Sequence, residues 1–478
     1  MRQLDLRLLW AAQFLNTAAL MMLVPVMPFY VEDLGAEGTG AVALWAGAAL
    51  AAPALMLTVS TPLWGWVGDR IGRRWMVVRA LVGLALSMVV VAVARDPAVL
   101  VAGRLLQGAL GGVVEAATAF VSGESDDEDL GAMLGRSYTA TASGAVVGPI
   151  AGGVLLSGGE LRPFMLVVAA LSGVMAVLCA IALRGRRRTR TQTSRTPFFR
   201  SLRDVVTTPG TRSLLGAGFL GHLAIYGLVP VFALQVRGLL DDPADAGTWV
   251  GILQALTWSG AIAGSLWWGR RNDRLGTPST IFRAAALGCA ASILLQVVPA
   301  GPLPLVALRL VQGFCFAALA QSVFLHVGRH SAADARSTRV GVANSFLLAG
   351  QVAGPLLVGL ALLVLSPSVT IVLLAGCAAA AALLAGRTVR GTEAAPEASQ
   401  PALVTSQRDP ARDRPGQVGP RRPGRGPLQS GRPRPLAPLA AVLGVAAVGG
   451  LLLLGLRGRR VPVSVPPGGA ATPVASTD

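Results

Sequence analysis

Apolar runs of about 20 residues, long enough to cross the bilayer hydrocarbon as helices, follow one another along most of the chain with short polar breaks. They predict spans over 7–30, 42–64, 75–94, 98–121, 132–156 and 162–183, then 211–236, 247–268, 279–298, 302–327, 338–365 and 369–386. One buried core helix could explain a single such run, but a dozen in series define an all-α polytopic membrane protein. A further apolar run over 436–456 is a candidate thirteenth span. It would leave Arg457, Arg459 and Arg460 on the outer side, against the charge rule, so an interfacial placement is its alternative.

The polar breaks repeat. Gly65-Trp66-Val67-Gly68-Asp69-Arg70-Ile71-Gly72-Arg73-Arg74 lies between the second and third runs, where a hairpin is expected. Gly269-Arg270-Arg271-Asn272-Asp273-Arg274-Leu275-Gly276 returns its Gly, Asp, Arg and Gly 204 positions on. Arg104-Leu105-Leu106-Gln107-Gly108 returns as Arg309-Leu310-Val311-Gln312-Gly313 at an offset of 205, and Gly148-Pro149 as Gly354-Pro355 at 206. Each string is weak by itself. In one order, on equivalent spans, they indicate two pseudo-symmetric six-helix bundles that pack around a central path and rock against each other.

Composition agrees and adds a topology. The chain is 53% hydrophobic and 14% charged, against about 25% charged in a soluble domain. Its formal charge is +17, carried by Arg without Lys. An Arg-rich stretch from Arg184 to Arg203 follows six spans, and basic connections mark the cytoplasmic side. The N-terminus and the 65–74 hairpin are then expected in the cytoplasm, and acidic Glu32, Asp33 and Glu37 outside. The expected organisation is a bundle over 1–183, a basic linker over 184–210, a second bundle over 211–387, and a disordered Pro/Arg-rich segment over 388–435. The run at 436–456 and a disordered tail at 457–478 follow. Cys179, Cys289, Cys315 and Cys377 have no ligand spacing and are read as packing residues. No cleavable signal peptide, metal-ligand spacing, phosphate-binding string or nucleophile elbow is visible. The expectation is a protein without cofactor or nucleic-acid partner, working in the lipid bilayer on small molecules.

With these motifs in hand, residues 7–387 resemble the major facilitator superfamily, and within it the twelve-span drug:proton antiporters that drive multidrug efflux. Gly65–Arg74 is similar to the family's loop motif between spans 2 and 3. Arg104 with Gln107 and Gly108 resembles the span 4 motif of proton-driven members. Gly144–Gly153 resembles the span 5 motif of exporters. The second hairpin departs from the pattern, with Thr277 and Pro278 where the first has Arg73 and Arg74. The resemblance implies a monomeric, multi-pass transporter of the cell membrane that exchanges substrate for protons. On the same scaffold, the alternatives are a metabolite importer or proton symporter and, in another class, a membrane-anchored sensor or scaffold.

Candidate residues follow. Glu115 is the one carboxylate near the middle of a first-half span. It is a group that a low-dielectric interior could load and unload with protons, or that could attract a cation. A fixed ion pair with Arg79, Arg283 or Arg309 is the structural alternative. Arg104 is costly inside hydrocarbon and should face the bundle interior, unless it snorkels to the surface. The resemblance links it to proton movement, and Arg309 repeats it. His222, Tyr226 and Asn16 are polar candidates for the proton or substrate path. Asn16 stands where some relatives carry a charge, so the cargo of those relatives does not transfer. Gly65, Asp69, Arg70, Gly72, Arg73, Asp273 and Arg274 are expected to form a conformational switch, with Asp69 latching a helix N-terminus on the same face. Gly144, Gly148, Pro149, Gly152, Gly354 and Pro355 are expected to supply close packing and a bend.

Overall fold

The computed structural model describes residues 3–124, 127–159, 161–183, 203, 207, 209–275, 277–298, 301–331 and 336–393. The basic linker other than Arg203, Thr207, Pro209 and Gly210, the 394–435 segment, the candidate thirteenth span and the tail lie outside them. The described residues form α-helices and one 3-10 turn, with no strand among them. In chain order the helices are α1 (Gln3–Asp33), α2 (Thr39–Ile71), α3 (Arg73–Ala92), α4 (Pro97–Leu110), α5 (Val113–Glu124), α6 (Asp127–Ser157) and α7 (Leu161–Ala182). The second half holds α8 (Pro209–Arg237), α9 (Ala246–Leu275), α10 (Pro278–Leu295), α11 (Pro302–Arg329), α12 (Arg336–Ala361) and α13 (Pro367–Glu393).

Eleven of the resulting rods are long and apolar enough to cross a membrane, with α4 and α5 counted together as one. The twelfth by position is α9, which is longer than most but more polar, and which is packed against α6 and α11. Large apolar side chains on the outer surface, such as Ile181 at 75% and Leu383 at 69% exposure, suit lipid rather than water. The chain is a multi-pass membrane protein.

Two expectations about span ends are corrected. The 65–74 stretch is not an open hairpin: α2 stays helical to Ile71, and the chain turns at Gly72 alone, where φ is +98°. Nothing in Gly65–Ile71 breaks a helix, and Arg70 stacks 3.3 Å over the Trp66 ring one turn earlier. The second copy behaves alike, with α9 helical to Leu275. Likewise the fifth span, expected over 132–156, belongs to a helix that begins at Asp127.

Span 4, expected as one helix, is broken. Gly112 has φ +90° and separates α4 from α5. A break inside hydrocarbon exposes carbonyls that must find donors within the protein. Trp64 Nε1 donates to the Ala109 carbonyl at 2.6 Å, and Arg79 Nη2 donates to the Gly111 carbonyl at 2.8 Å. The Arg79 guanidinium also lies 4.0 Å over the Trp64 ring.

The duplication is written in contacts as well as in sequence. Trp268 Nε1 donates to the Phe314 carbonyl at 2.9 Å, repeating the Trp64 bond. Tyr30 donates to the Val91 carbonyl and Gln235 to the Gln296 carbonyl, each across 61 positions. Gly108 abuts the Pro53 carbonyl, and Gly313 abuts the Thr257 carbonyl. In α6, Gly144 and Gly148 sit on the α1 backbone at Phe14 and Ala18, while Gly350 and Gly354 of α12 sit on α8 at Phe219 and Leu223. Small residues let these backbones meet, as they do in membrane helix pairs.

A methyl group at Gly313 would run into the Thr257 carbonyl, whereas one at Gly269 meets nothing within 4 Å. Gly313→Ala is therefore expected to cost about 1–3 kcal/mol through overpacking. Gly269→Ala should be neutral or stabilising by up to about 1 kcal/mol through helix propensity. Thermal unfolding in detergent checks this, and equal melting temperatures for the two variants would refute the close contact.

Candidate functional site

A cavity of about 240 Å³ lies where the two halves meet, lined by side chains of both. On α2 its lining runs from Leu50 to Leu57, and on α9 from Gln254 to Trp258. Above it the halves close on each other. Gly47 of α2 meets the Pro355 carbonyl, Gly359 of α12 meets the Ala43 carbonyl, and Gly251 of α9 meets the Pro149 carbonyl. Thr248 donates to Ser157 Oγ at 3.1 Å across the second seam. These contacts sit at the start of α2 and α9 and at the end of α6 and α12. The seam therefore occupies the face opposite Gly72, and the cavity begins where it stops. On the seam face Arg237, in the last turn of α8, makes a salt bridge with Glu32 near the end of α1.

Arg104 and Arg309 are buried and line this cavity, so neither reaches the outer surface. Arg104 donates through Nη1 to Gln107 Oε1 at 2.5 Å and through Nε to the Ala49 carbonyl at 3.1 Å. Arg309 donates through Nη1 to Gln312 Oε1 at 3.0 Å and through Nη2 to Gln254 Oε1. It also stands 4.1 Å from the Phe232 ring centre. Ala49 and Gln254 are equivalent, each 55 positions before its arginine. A backbone acceptor in one half is a side-chain acceptor in the other.

Glu115 sits in the first turn of α5, directly after the Gly111–Gly112 break. Its side chain is exposed and lines the cavity. Arg79 is its electrostatic neighbour. The break turns α5 so that its positive N-terminal end and Arg79 both address this carboxylate. Of the three partners left open, Arg79 is the one in electrostatic reach of Glu115, although the two form no salt bridge among the described residues, and Arg79 also caps the broken helix.

The other candidates divide. Asn16 and Tyr226 line the cavity with Glu115, Arg104, Arg309 and Pro355. His222 does not. It is buried one layer behind, with Nδ1 3.1 Å from the Gly218 carbonyl and its ring against Tyr226 and Phe316. Gly144, Gly148 and Gly152 are spent on the α1 contact, while Pro149 borders the seam. Gly65 has open space around it and makes neither a turn nor a close approach, whereas Gly72 makes the turn. Arg73 opens α3, and Arg274 is exposed in the last turn of α9. The side chains of Asp69 and Asp273 lie outside the described ones. The break at Gly111–Gly112 and the Glu32–Arg237 bridge had gone unread. The paired glycines signalled the first, and the shared repeat position of the two residues could have signalled the second.

Two repeated helical halves around a shared cavity, with eleven candidate spans among the described residues, form the architecture of a membrane transporter. The family described as Major Facilitator Superfamily matches residues 9–260 and 214–458, and the chain belongs to it. Over 357 residues it is 34% identical to the Staphyloferrin B transporter of Staphylococcus aureus, covering 74% of this chain and 85% of that protein. It is 28% identical over 352 residues to multidrug resistance protein MdtG of Escherichia coli, covering 73% and 85%. Among solved structures, the fold matches a bacterial homolog of the human lysosomal transporter Spinster, in an inward-facing and occupied conformation. The TM-score is 0.65 at 15% identity, over 80% of this chain and 96% of that one. It also matches the nucleoside transporter NupG, with TM-score 0.64 at 14% identity, over 81% and 99%.

Glu32 and Arg237 are each about one-third exposed, at 30% and 36%. Such a bridge should contribute about 0.2–1 kcal/mol, screened by salt. A double-mutant cycle with Glu32→Gln and Arg237→Gln should read that coupling in thermal unfolding, weakening as salt rises. Strict additivity at low salt would show that the pair does not join the halves.

Proposed function

We propose that the protein is a proton-coupled secondary active transporter that exports an amphiphilic small molecule by alternating access. The observation that carries this reading is Glu115, a carboxylate facing a cavity shared by both halves, at a helix start and beside Arg79. A group so placed can hold a proton in one state and face Arg79 as an anion in the other. Exchange with a substrate then needs only that the cavity open to one side at a time.

The bodies that move are the halves over 1–183 and 211–387, joined by the 184–210 linker. The basic linker supports a cytoplasmic N-terminus and a place in the cell membrane. The seam at the start of α2 and α9 is then the outer gate. With it shut, the cavity addresses the cytoplasm, where exported cargo is collected. The 65–74 and 269–276 stretches, with Asp69, Arg70, Arg73, Asp273 and Arg274, would form the inner gate, and Gly148-Pro149 and Gly354-Pro355 would let α6 and α12 flex. The names of the two relatives, a Staphyloferrin B transporter and a multidrug resistance protein, support a small organic cargo. The unit of function is a monomer in lipid.

Reconstituted in vesicles, the protein should move substrate when a pH gradient is imposed, and Glu115→Gln should abolish that coupling while leaving downhill exchange. Gradient-driven transport by Glu115→Gln at the parent rate would reject Glu115 as the proton site.

A further inference from the structure

We infer that the cavity takes an oxygen-rich organic anion, gripped between two symmetry-related sets of donors, one from each half. This names the cargo class of the transport reading above and rests on it.

The charges come first. The cavity lining holds two guanidinium groups, Arg104 and Arg309, and one carboxylate, Glu115. Glu115 has Arg79 as its electrostatic neighbour, and among the described residues neither lining arginine has a carboxylate partner of its own. Their hydrogen bonds go to neutral acceptors, which position a guanidinium without neutralising it. Two uncompensated positive charges in a membrane interior are expensive, and an anion between them relieves both.

The unused donors come second. Gln107 and Gln312 each spend Oε1 on the arginine three residues earlier, and Gln312 Oε1 also accepts from Gln296 at 3.0 Å. Each is left with a buried Nε2 that has no acceptor. Arg309 Nε is likewise buried without an acceptor. Arg104 Nη2 makes no hydrogen bond among the described residues. Both glutamines line the cavity. All four of these atoms are donors: the free glutamine Nε2 recurs at equivalent positions in both halves, while the free arginine donor is Nη2 on Arg104 and Nε on Arg309. What they lack is a ligand rich in acceptor oxygens.

The walls come third. Tyr226, Trp258 and Phe316 form an aromatic shelf on one side, with Tyr226 and Trp258 each edge-on to Phe316 at 6.0 and 6.5 Å. Leu20, Met21 and Val24 line the other half. The matching solute carries anionic oxygens at two ends or edges and an apolar body. Carboxylate and phosphate present these oxygens alike, and the fork of an arginine fits either.

The test uses the purified full-length protein in detergent, with binding followed by intrinsic tryptophan fluorescence. The probes are phenylsuccinate, inorganic phosphate and tetraphenylphosphonium. Phenylsuccinate should bind saturably, phosphate more weakly because it has no apolar body, and the cation not at all. Gln107→Glu and Gln312→Glu keep the oxygen that each arginine needs, replace the free donor by a negative charge, and should retain the melting temperature. Each should weaken phenylsuccinate at least tenfold. Arg309→Lys, which keeps the charge and loses the fork, should weaken it less than Gln312→Glu does. Phosphate binding tighter than phenylsuccinate, with the same two variants impaired, supports the anion site with phosphate as its chemistry. Binding of tetraphenylphosphonium and neither anion overturns the inference, as does anion binding untouched by both glutamate variants. Flux in vesicles separates this from the transport reading. Anion binding without flux under any ion gradient rejects transport and keeps the site, whereas flux of the cation alone keeps transport and rejects the site.

Discussion

The contact on which the interior depends is backbone against backbone: Gly108 on the Pro53 carbonyl in one half, Gly313 on the Thr257 carbonyl in the other. A glycine at the crossing removes the Cβ that would hold two helices apart, and dispersion and shared hydrogen bonds replace the missing side chain. Because span 4 lies this close to α2, Arg104 reaches the Ala49 carbonyl and Trp64 reaches the Ala109 carbonyl. The same proximity on the other side brings Arg309 to Gln254 and Trp268 to Phe314. Larger residues at 108 and 313 would take the Ala49 carbonyl from Arg104 and Gln254 from Arg309, leaving each buried arginine only the glutamine of its own helix.

On this common frame the halves have diverged in one informative place. Span 4 breaks at Gly111–Gly112 and presents Glu115, while α11 runs unbroken through Phe316 and carries Ala320 at the position equivalent to Glu115. Where the first half has a bent backbone, a carboxylate and Arg79, the second has an aromatic shelf of Phe316, Tyr226 and Trp258. Charge handling and apolar contact have been divided between the halves, although the arginine and glutamine pair is kept in both.

The amphipathic pattern and the three repeated strings made the spans, the duplication and the arginine positions legible from sequence. Hydropathy is a local property of each run, and a duplication leaves equal offsets that a reader can count. Glycine pairs were harder to read. Gly111–Gly112 ends a helix because of the backbone conformation at Gly112, whereas Gly152–Gly153 lies inside one, pressed against α1 and α9. The difference is made by Trp64 and Arg79, which accept the cost of a break by donating to its free carbonyls, and neither is near in sequence. His222 lies behind the cavity lining for a related reason. Helical periodicity says which face a residue occupies, but Tyr226 one turn on fills the same face and stands in front of it. The hairpins misled because a basic, glycine-containing stretch between apolar runs looks like a loop, while a helix can leave the bilayer and continue in water.

Glu32 and Arg237 lie 205 positions apart, so each occupies in its own half the place the other occupies in its half. A pseudo-twofold axis brings such positions face to face. Had the duplicated halves stayed identical, both would carry the same residue, and two carboxylates or two guanidinium groups would push the closed end apart. Attraction at the axis thus requires broken symmetry: the clasp could exist only after one copy had changed sign.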